Sequence, residues 1–155
     1  MSIDKLVSTE WLEANLADAD LVVLDCTCYL RPSRDGYEVS SGLEAWTESH
    51  IPRARFADLT GDLCDTDSPW SFAVPTPAAF AEAMAALGVS DTDRVVLYDD
   101  AGMMWAARVW WMLRWIGFDN AGILDGGMSA WRAEGRPLST AMPQVTPGSL
   151  EARPR

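Results

Sequence analysis

Between the run Arg94-Val95-Val96-Leu97-Tyr98 and the apolar stretch that starts at Met104 lies the segment Asp99-Asp100-Ala101-Gly102-Met103-Met104. A loop that follows a strand and opens a helix aims several backbone N–H groups at one point. It can therefore cradle an anion or hold an activated nucleophile. The nucleophile such a cradle suits best is a thiolate, and this chain has a carboxylate there instead.

Two readings of that carboxylate follow. A carboxylate nucleophile of the aspartyl-phosphatase type needs a second Asp two residues on and a downstream Lys beside the phosphoryl group. Position 101 is Ala, and the only Lys in the chain is Lys5. The other reading is structural: Asp99 ends the strand, and its oxygens accept N–H bonds from the turn and the helix start. That places Asp99 inside the pocket an incoming anion would need, with Asp100 a solvated turn residue. No catalytic residue is assigned on this reading.

The remaining chemistry-bearing residues are few. Cys26, Cys28 and Cys64 form no C-x-x-C pair, and an odd number of cysteines in a chain with no visible leader is expected to stay reduced. With one His, His50, and no paired spacing, neither a metal site nor a cofactor site is expected. Cys26 and Cys28 follow the first strand and lie toward the sheet edge where α/β sites form, so a sulfur or redox relay through either is a minor alternative. Cys64, beside Asp62 and Asp65, is expected to be inert. His50 precedes Ile51-Pro52 without a Cys or Ser partner in motif and is read as a hydrogen-bonded structural residue. Arg108, one turn into the helix behind the loop, is placed to pair with Asp99 or Asp100, and Arg114 suits the dipole at that helix's end.

The elements that must position these residues are legible from pattern. Ser8 caps a short helix, Leu21–Asp25 is a continuous apolar run ended by a carboxylate, and a strand is expected near Ala54–Ala57. The segment from Cys26 to Gly42 is turn-rich and has no clear period, with a short helix after it at Ser41–Ser49. Thr76-Pro77 opens a helix closed by Gly88, Arg94–Tyr98 is a strand, and Met104–Ile116 is a helix ended by Gly117. A short strand at Ala121–Leu124, a turn at Gly126-Gly127 and a helix to Glu134 complete the pattern. Alternating strands and helices imply an α/β domain, a mainly parallel sheet with helices on both faces.

The helix from Met104 carries four tryptophans and is apolar nearly all round. One side is expected in the core and the other in a contact with a further domain. Residues 1–138 are assigned to the domain. Residues 139–155, inside the proline-rich stretch from Arg136, are read as a linker-like tail toward a second domain.

The 155-residue chain is long enough for a full core, and 48% apolar residues exclude disorder. The net charge of −11 and the absence of a basic run exclude nucleic acid and anionic membrane surfaces as partners. Arg108 and Arg114 interrupt the longest apolar stretch, so no membrane span is expected. The first residues lack a basic, apolar leader, and a cytoplasmic location is the expectation.

Taken in order, Leu21–Asp25, His50-Ile51-Pro52-Arg53-Ala54, Arg94–Asp99, Ala107–Arg114 and Leu124-Asp125-Gly126-Gly127-Met128-Ser129-Ala130-Trp131 resemble the rhodanese family. More narrowly they resemble the N-terminal domain of its two-domain thiosulfate and mercaptopyruvate sulfurtransferases, over roughly residues 5 to 140. The resemblance implies a three-layer rhodanese-like fold and transfer of sulfane sulfur to a thiophilic acceptor. In active members a Cys follows this strand and carries a persulfide in a loop of about six residues lined with N–H groups. Here Asp99 holds the Cys position, so Asp99 to Met104 is a degenerate active-site loop. The implied role is a non-catalytic half with a structural or interface function, partnered by a second rhodanese domain on its apolar flank. Left uncovered, that flank would drive self-association. A free-standing binding module is the competing reading.

Overall fold

A computed structural model describes residues 2–70 and 72–155. Among the described residues, seven strands and five helices follow one another as β1 (Leu6–Val7), α1 (Thr9–Asn15), β2 (Leu21–Asp25), β3 (Cys28–Ser33), β4 (Gly36–Ser41), α2 (Leu43–Glu48), β5 (Arg55–Phe56), α3 (Pro77–Ala86), β6 (Arg94–Tyr98), α4 (Met104–Trp115), β7 (Ala121–Leu124) and α5 (Gly127–Ala133). The main sheet has the order β1-β7-β6-β2-β5, and its neighbours are all parallel. The expected α/β fold, with its mainly parallel sheet, is present.

Continuous apolar runs in β2 and β6 have their reason in the layering. Val22, Leu24, Val95 and Leu97 face a core built with Phe80, Met84, Val109 and Met112 of α3 and α4. Their neighbours Leu21, Val23, Val96 and Tyr98 face the opposite core, with Leu12 of α1 and Met128 and Trp131 of α5. Every position of β2 and β6 is buried, because a strand covered on both faces has no polar side.

Local signals set several boundaries. The Ser8 hydroxyl accepts from Trp11 N at the start of α1, and the Thr76 hydroxyl accepts from Ala79 N at the start of α3. At the start of β6, the buried Arg94 reaches Asp18 and Asp20, both at 2.9 Å.

Two elements lie outside the sequence-based expectation. Residues Cys28 to Ser41, read as turns, form the antiparallel hairpin β3–β4 with Ser33 opposite Gly36. Its outer residues are exposed on both faces, so no apolar alternation marks them, and Pro32 reads as a breaker. The two-residue β1 pairs with β7 at the sheet edge and is too short to carry a period.

Helix α4 has one buried side and one partly exposed side. Trp105, Ala106, Val109, Met112 and Leu113 are buried, whereas Met104 and Trp111 are about half exposed, at 50% and 47%. Trp111 stacks on Trp115 with ring centroids 6.0 Å apart and planes 3° from parallel. No helix among the described residues is long and apolar enough to cross a membrane.

Trp131 is fully buried and donates through its indole N–H to Pro137 O at 2.6 Å. Trp131→Ala empties a large volume in the α1/α5 core, and a loss of about 3–5 kcal/mol is expected in urea denaturation.

Candidate functional site

At the carboxyl edge of β6 the chain turns into the loop Asp99 to Met103, with Gly102 at φ 78° and Met103 at φ 71°. These two left-handed residues swing the amides inward as α4 begins, forming a nest of N–H groups. The nest is filled by the chain's own side chain. Asp99 Oδ1 accepts from Ala101 N at 2.8 Å and Met103 N at 3.0 Å. Its Oδ2 accepts from Trp105 N at 2.9 Å and Ala106 N at 2.8 Å. Asp99 is only 1% exposed, so its oxygens stand where the acceptor atoms of a bound anion or thiolate would stand.

The backbone around this ring is equally tight. Met128 N donates to Asp99 O at 3.0 Å, and a Cβ at Gly127 would lie 2.5 Å from that same oxygen. The Asp125-Gly126-Gly127 turn therefore lets the start of α5 close against the loop. Asp100 N donates to Thr27 Oγ1 at 3.1 Å. Its carboxylate pairs with Arg132 on α5 at 2.7 Å, with Ser129 Oγ donating to the other oxygen at 3.4 Å. Asp100, expected as a solvated turn residue, is thus an ion-paired one.

The expected pairing of Arg108 with Asp99 or Asp100 is corrected by the structure. The Arg108 guanidinium reaches Phe72 O on the neighbouring loop, and Arg132 takes the Asp100 carboxylate. Helical direction is the reason: Arg108 leans toward the segment packed on Trp105, where the Phe72 ring lies tilted at 37° with centroids 4.8 Å apart. Arg114 pairs with Asp119 at 3.5 Å beyond the end of α4, in keeping with its expected place at the helix terminus.

Behind the loop lies a buried polar chain that the sequence did not single out. Asp25 Oδ1 accepts from Thr27 N at 3.0 Å and Thr27 Oγ1 at 2.6 Å, and the nearby Tyr98 hydroxyl also favours the charged carboxylate. Ile51 N donates to the Tyr98 hydroxyl at 3.3 Å. Burial holds the Asp25 carboxyl above the usual carboxylate range against these bonds, and the nearby Asp99 pushes the same way. Burial, followed by the Asp25 charge, raises the Tyr98 phenol well above its ordinary value. A carboxylate at the end of an apolar strand two residues before a Thr was the available signal.

The cysteines are placed against a relay. Cys26 and Cys28 are fully buried. Burial, with the Asp25 and Asp99 carboxylates beside it, raises the Cys26 thiol well above the usual thiol range. Burial and then Asp58 push Cys28 up to about 12. Cys64 is raised by burial, with Asp58 and Asp65 adding to it. A thiol held neutral and out of solvent is a poor sulfur acceptor. His50 is structural as expected: fully buried, stacked on Trp46 at 4.9 Å, with ring nitrogens 2.8 Å from Trp46 O and Ala141 O. The described residues contain no cluster of His, Cys, Asp and Glu able to hold a metal ion.

Two outcomes follow. Asp99→Ala strips four inward-facing amides of their acceptor, and a loss on the order of 3 kcal/mol or more is expected in chemical denaturation. Asp25 has a raised folded-state pKa, so its contribution is fully present below the ordinary carboxylate range and is lost as pH rises through the folded value. Asp25→Asn should therefore gain stability relative to the wild type between pH 4 and pH 8, read from urea midpoints; a constant difference would count against this assignment.

The rhodanese-like domain family matches residues 8–134. The chain is 39% identical over 139 residues to thiosulfate/3-mercaptopyruvate sulfurtransferase 2 of Arabidopsis thaliana, covering 90% of this chain and 39% of the relative. It is 38% identical over 161 residues to a probable 3-mercaptopyruvate sulfurtransferase of Pseudomonas aeruginosa, covering 99% and 54%. The crystal structure of SseA from Escherichia coli, a 3-mercaptopyruvate sulfotransferase, superposes with a TM-score of 0.86 at 28% identity, over 99% of this chain and 56% of that one. The chain thus spans about half, or less, of the length of these relatives. With its parallel sheet, its N–H-lined loop after β6 and these matches, the chain belongs to the rhodanese family and is similar to sulfurtransferases of the thiosulfate and 3-mercaptopyruvate kind.

Proposed function

We propose that this chain is the catalytically silent N-terminal half of a two-domain sulfurtransferase, one that moves sulfane sulfur from thiosulfate or 3-mercaptopyruvate to a thiophilic acceptor. The observation that carries this reading is the Asp99 carboxylate in the loop, accepting all four inward-facing amides at 1% exposure. Sulfane transfer needs a thiolate that attacks the donor's outer sulfur, keeps it as a persulfide and releases the remainder of the donor. A carboxylate oxygen cannot store sulfur in that form, and the same carboxylate blocks the N–H groups that would steady the persulfide anion.

The partner in this reading is a second rhodanese domain covering the outer face of α4. Met104 and Trp111 are about half exposed there, and Trp111 stacks on Trp115. Exposed aromatic area of this kind favours a protein contact over open solvent. The extra length of the sulfurtransferase relatives supports the same view. The role of this half would then be to bury the flank of the catalytic half and to shape its site.

The purified chain, supplied with thiosulfate or 3-mercaptopyruvate and cyanide, should form thiocyanate at the rate of a protein-free control. Turnover that clearly exceeds the control and survives Cys26→Ser and Cys28→Ser would overturn the proposal.

A further inference from the structure

The residues after α5 make no helix or strand of their own, yet they are bonded to the domain at two places, around Ser139–Ala141 and from Gly148 to Arg155. His50 and Ser139 exchange backbone bonds at 2.9 and 2.8 Å, and His50 Nε2 lies 2.8 Å from Ala141 O. Further on, Gly148 N donates to Ala85 O at 2.7 Å, and Asp91 N donates to Ser149 O at 3.0 Å. Ser149 N donates to Ser90 Oγ at 3.0 Å. Arg153 N donates to Ile116 O at 2.7 Å, Arg155 N to Trp115 O at 3.1 Å, and the Arg155 guanidinium pairs with Asp119.

The acceptors explain the arrangement. Trp115 and Ile116 lie at the C-terminal end of α4, where helix geometry leaves carbonyls short of intrahelical partners, while Ala85 O near the end of α3 already accepts from Gly88 N at 2.9 Å and takes Gly148 N on its second lone pair. The segment 148–155 supplies N–H donors to these carbonyls and so caps two helices in one pass. Leu150 and Ala152 pack on the α3/α4 core between the two attachment points. The fit leaves no slack: a Cβ at Gly148 would lie 2.3 Å from Val89 O, and one at Gly117 would lie 2.6 Å from Arg153 O. Alanines at 81 and 85 on α3 keep the surface under this segment low.

We infer that residues 148–155 form a fixed strap, an integral cap of α3 and α4 that mounts the end of this chain beside the Trp111–Trp115 stack. Its consequence for a following domain rests on the tandem reading: such a domain would start from a clamped point against the α4 face rather than from a free tether. The strap itself does not depend on that reading.

Hydrogen exchange on the 155-residue chain tests it. In the wild type the amides of Asp91, Gly148 and Arg153 should exchange at least about tenfold more slowly than in an unstructured peptide. Gly148→Val should raise exchange at Asp91 and Arg153 by about tenfold or more while Val95 and Leu97 in β6 keep theirs. Leu150→Ser, which removes the apolar anchor without a clash, should do the same, and the exposed-site control Gln144→Val should not. Free exchange of the wild-type strap, unaltered strap protection in both Gly148→Val and Leu150→Ser, or equal loosening by Gln144→Val overturns the inference. A reading frame that closed at Arg155 would instead remove the tandem reading and leave the protection pattern standing.

Discussion

Four backbone N–H groups at the carboxyl edge of the sheet converge on one spot, and everything near the loop is arranged around the acceptor that fills it. Ala101, Met103, Trp105 and Ala106 all donate to the Asp99 carboxylate. Buried amides without acceptors are costly, so a loop of this shape persists only if something answers all four. A bound anion can do so from outside. Here a side chain from the last residue before the turn does so from inside, which keeps the loop formed and closes it to anions at the same time.

The same constraint reaches the neighbouring elements. Gly127 brings α5 up against Asp99 O, Arg132 on α5 holds Asp100, and Thr27 joins Asp100 N to the buried Asp25. The loop is therefore tied to β2, β6, α4 and α5 together. In this rhodanese-family fold the loop after β6 is thus held from four elements around one buried carboxylate.

Coverage of the sheet explains the rest of the molecule. With α1 and α5 on one face and α3 and α4 on the other, β2 and β6 are buried throughout. Helix α4 serves the core with Val109 and Met112 and presents Trp111 outward, so its near-uniform apolarity is two faces with different roles. The strap finishes this layer by capping α3 and α4 with donors drawn from a segment that has no periodic structure to satisfy.

Sequence alone determined what depends on near neighbours. The buried runs of β2 and β6, the caps at Ser8 and Thr76, the position of the loop and the presence of a carboxylate in it were legible, because each is a local pattern. Tertiary structure decided what depends on residues far apart in the chain. That Arg132 and not Arg108 answers Asp100 is set by where α5 lands on the loop, some thirty residues later. The Asp25–Thr27–Tyr98 chain forms because β2 and β6 lie side by side in register, Asp25 opposite Tyr98. The hairpin β3–β4 escaped because a strand pair exposed on both faces leaves no apolar period. The strap escaped because its bonds go to groups at and beyond the ends of α3 and α4, far away in the chain, which no spacing within residues 139–155 can announce.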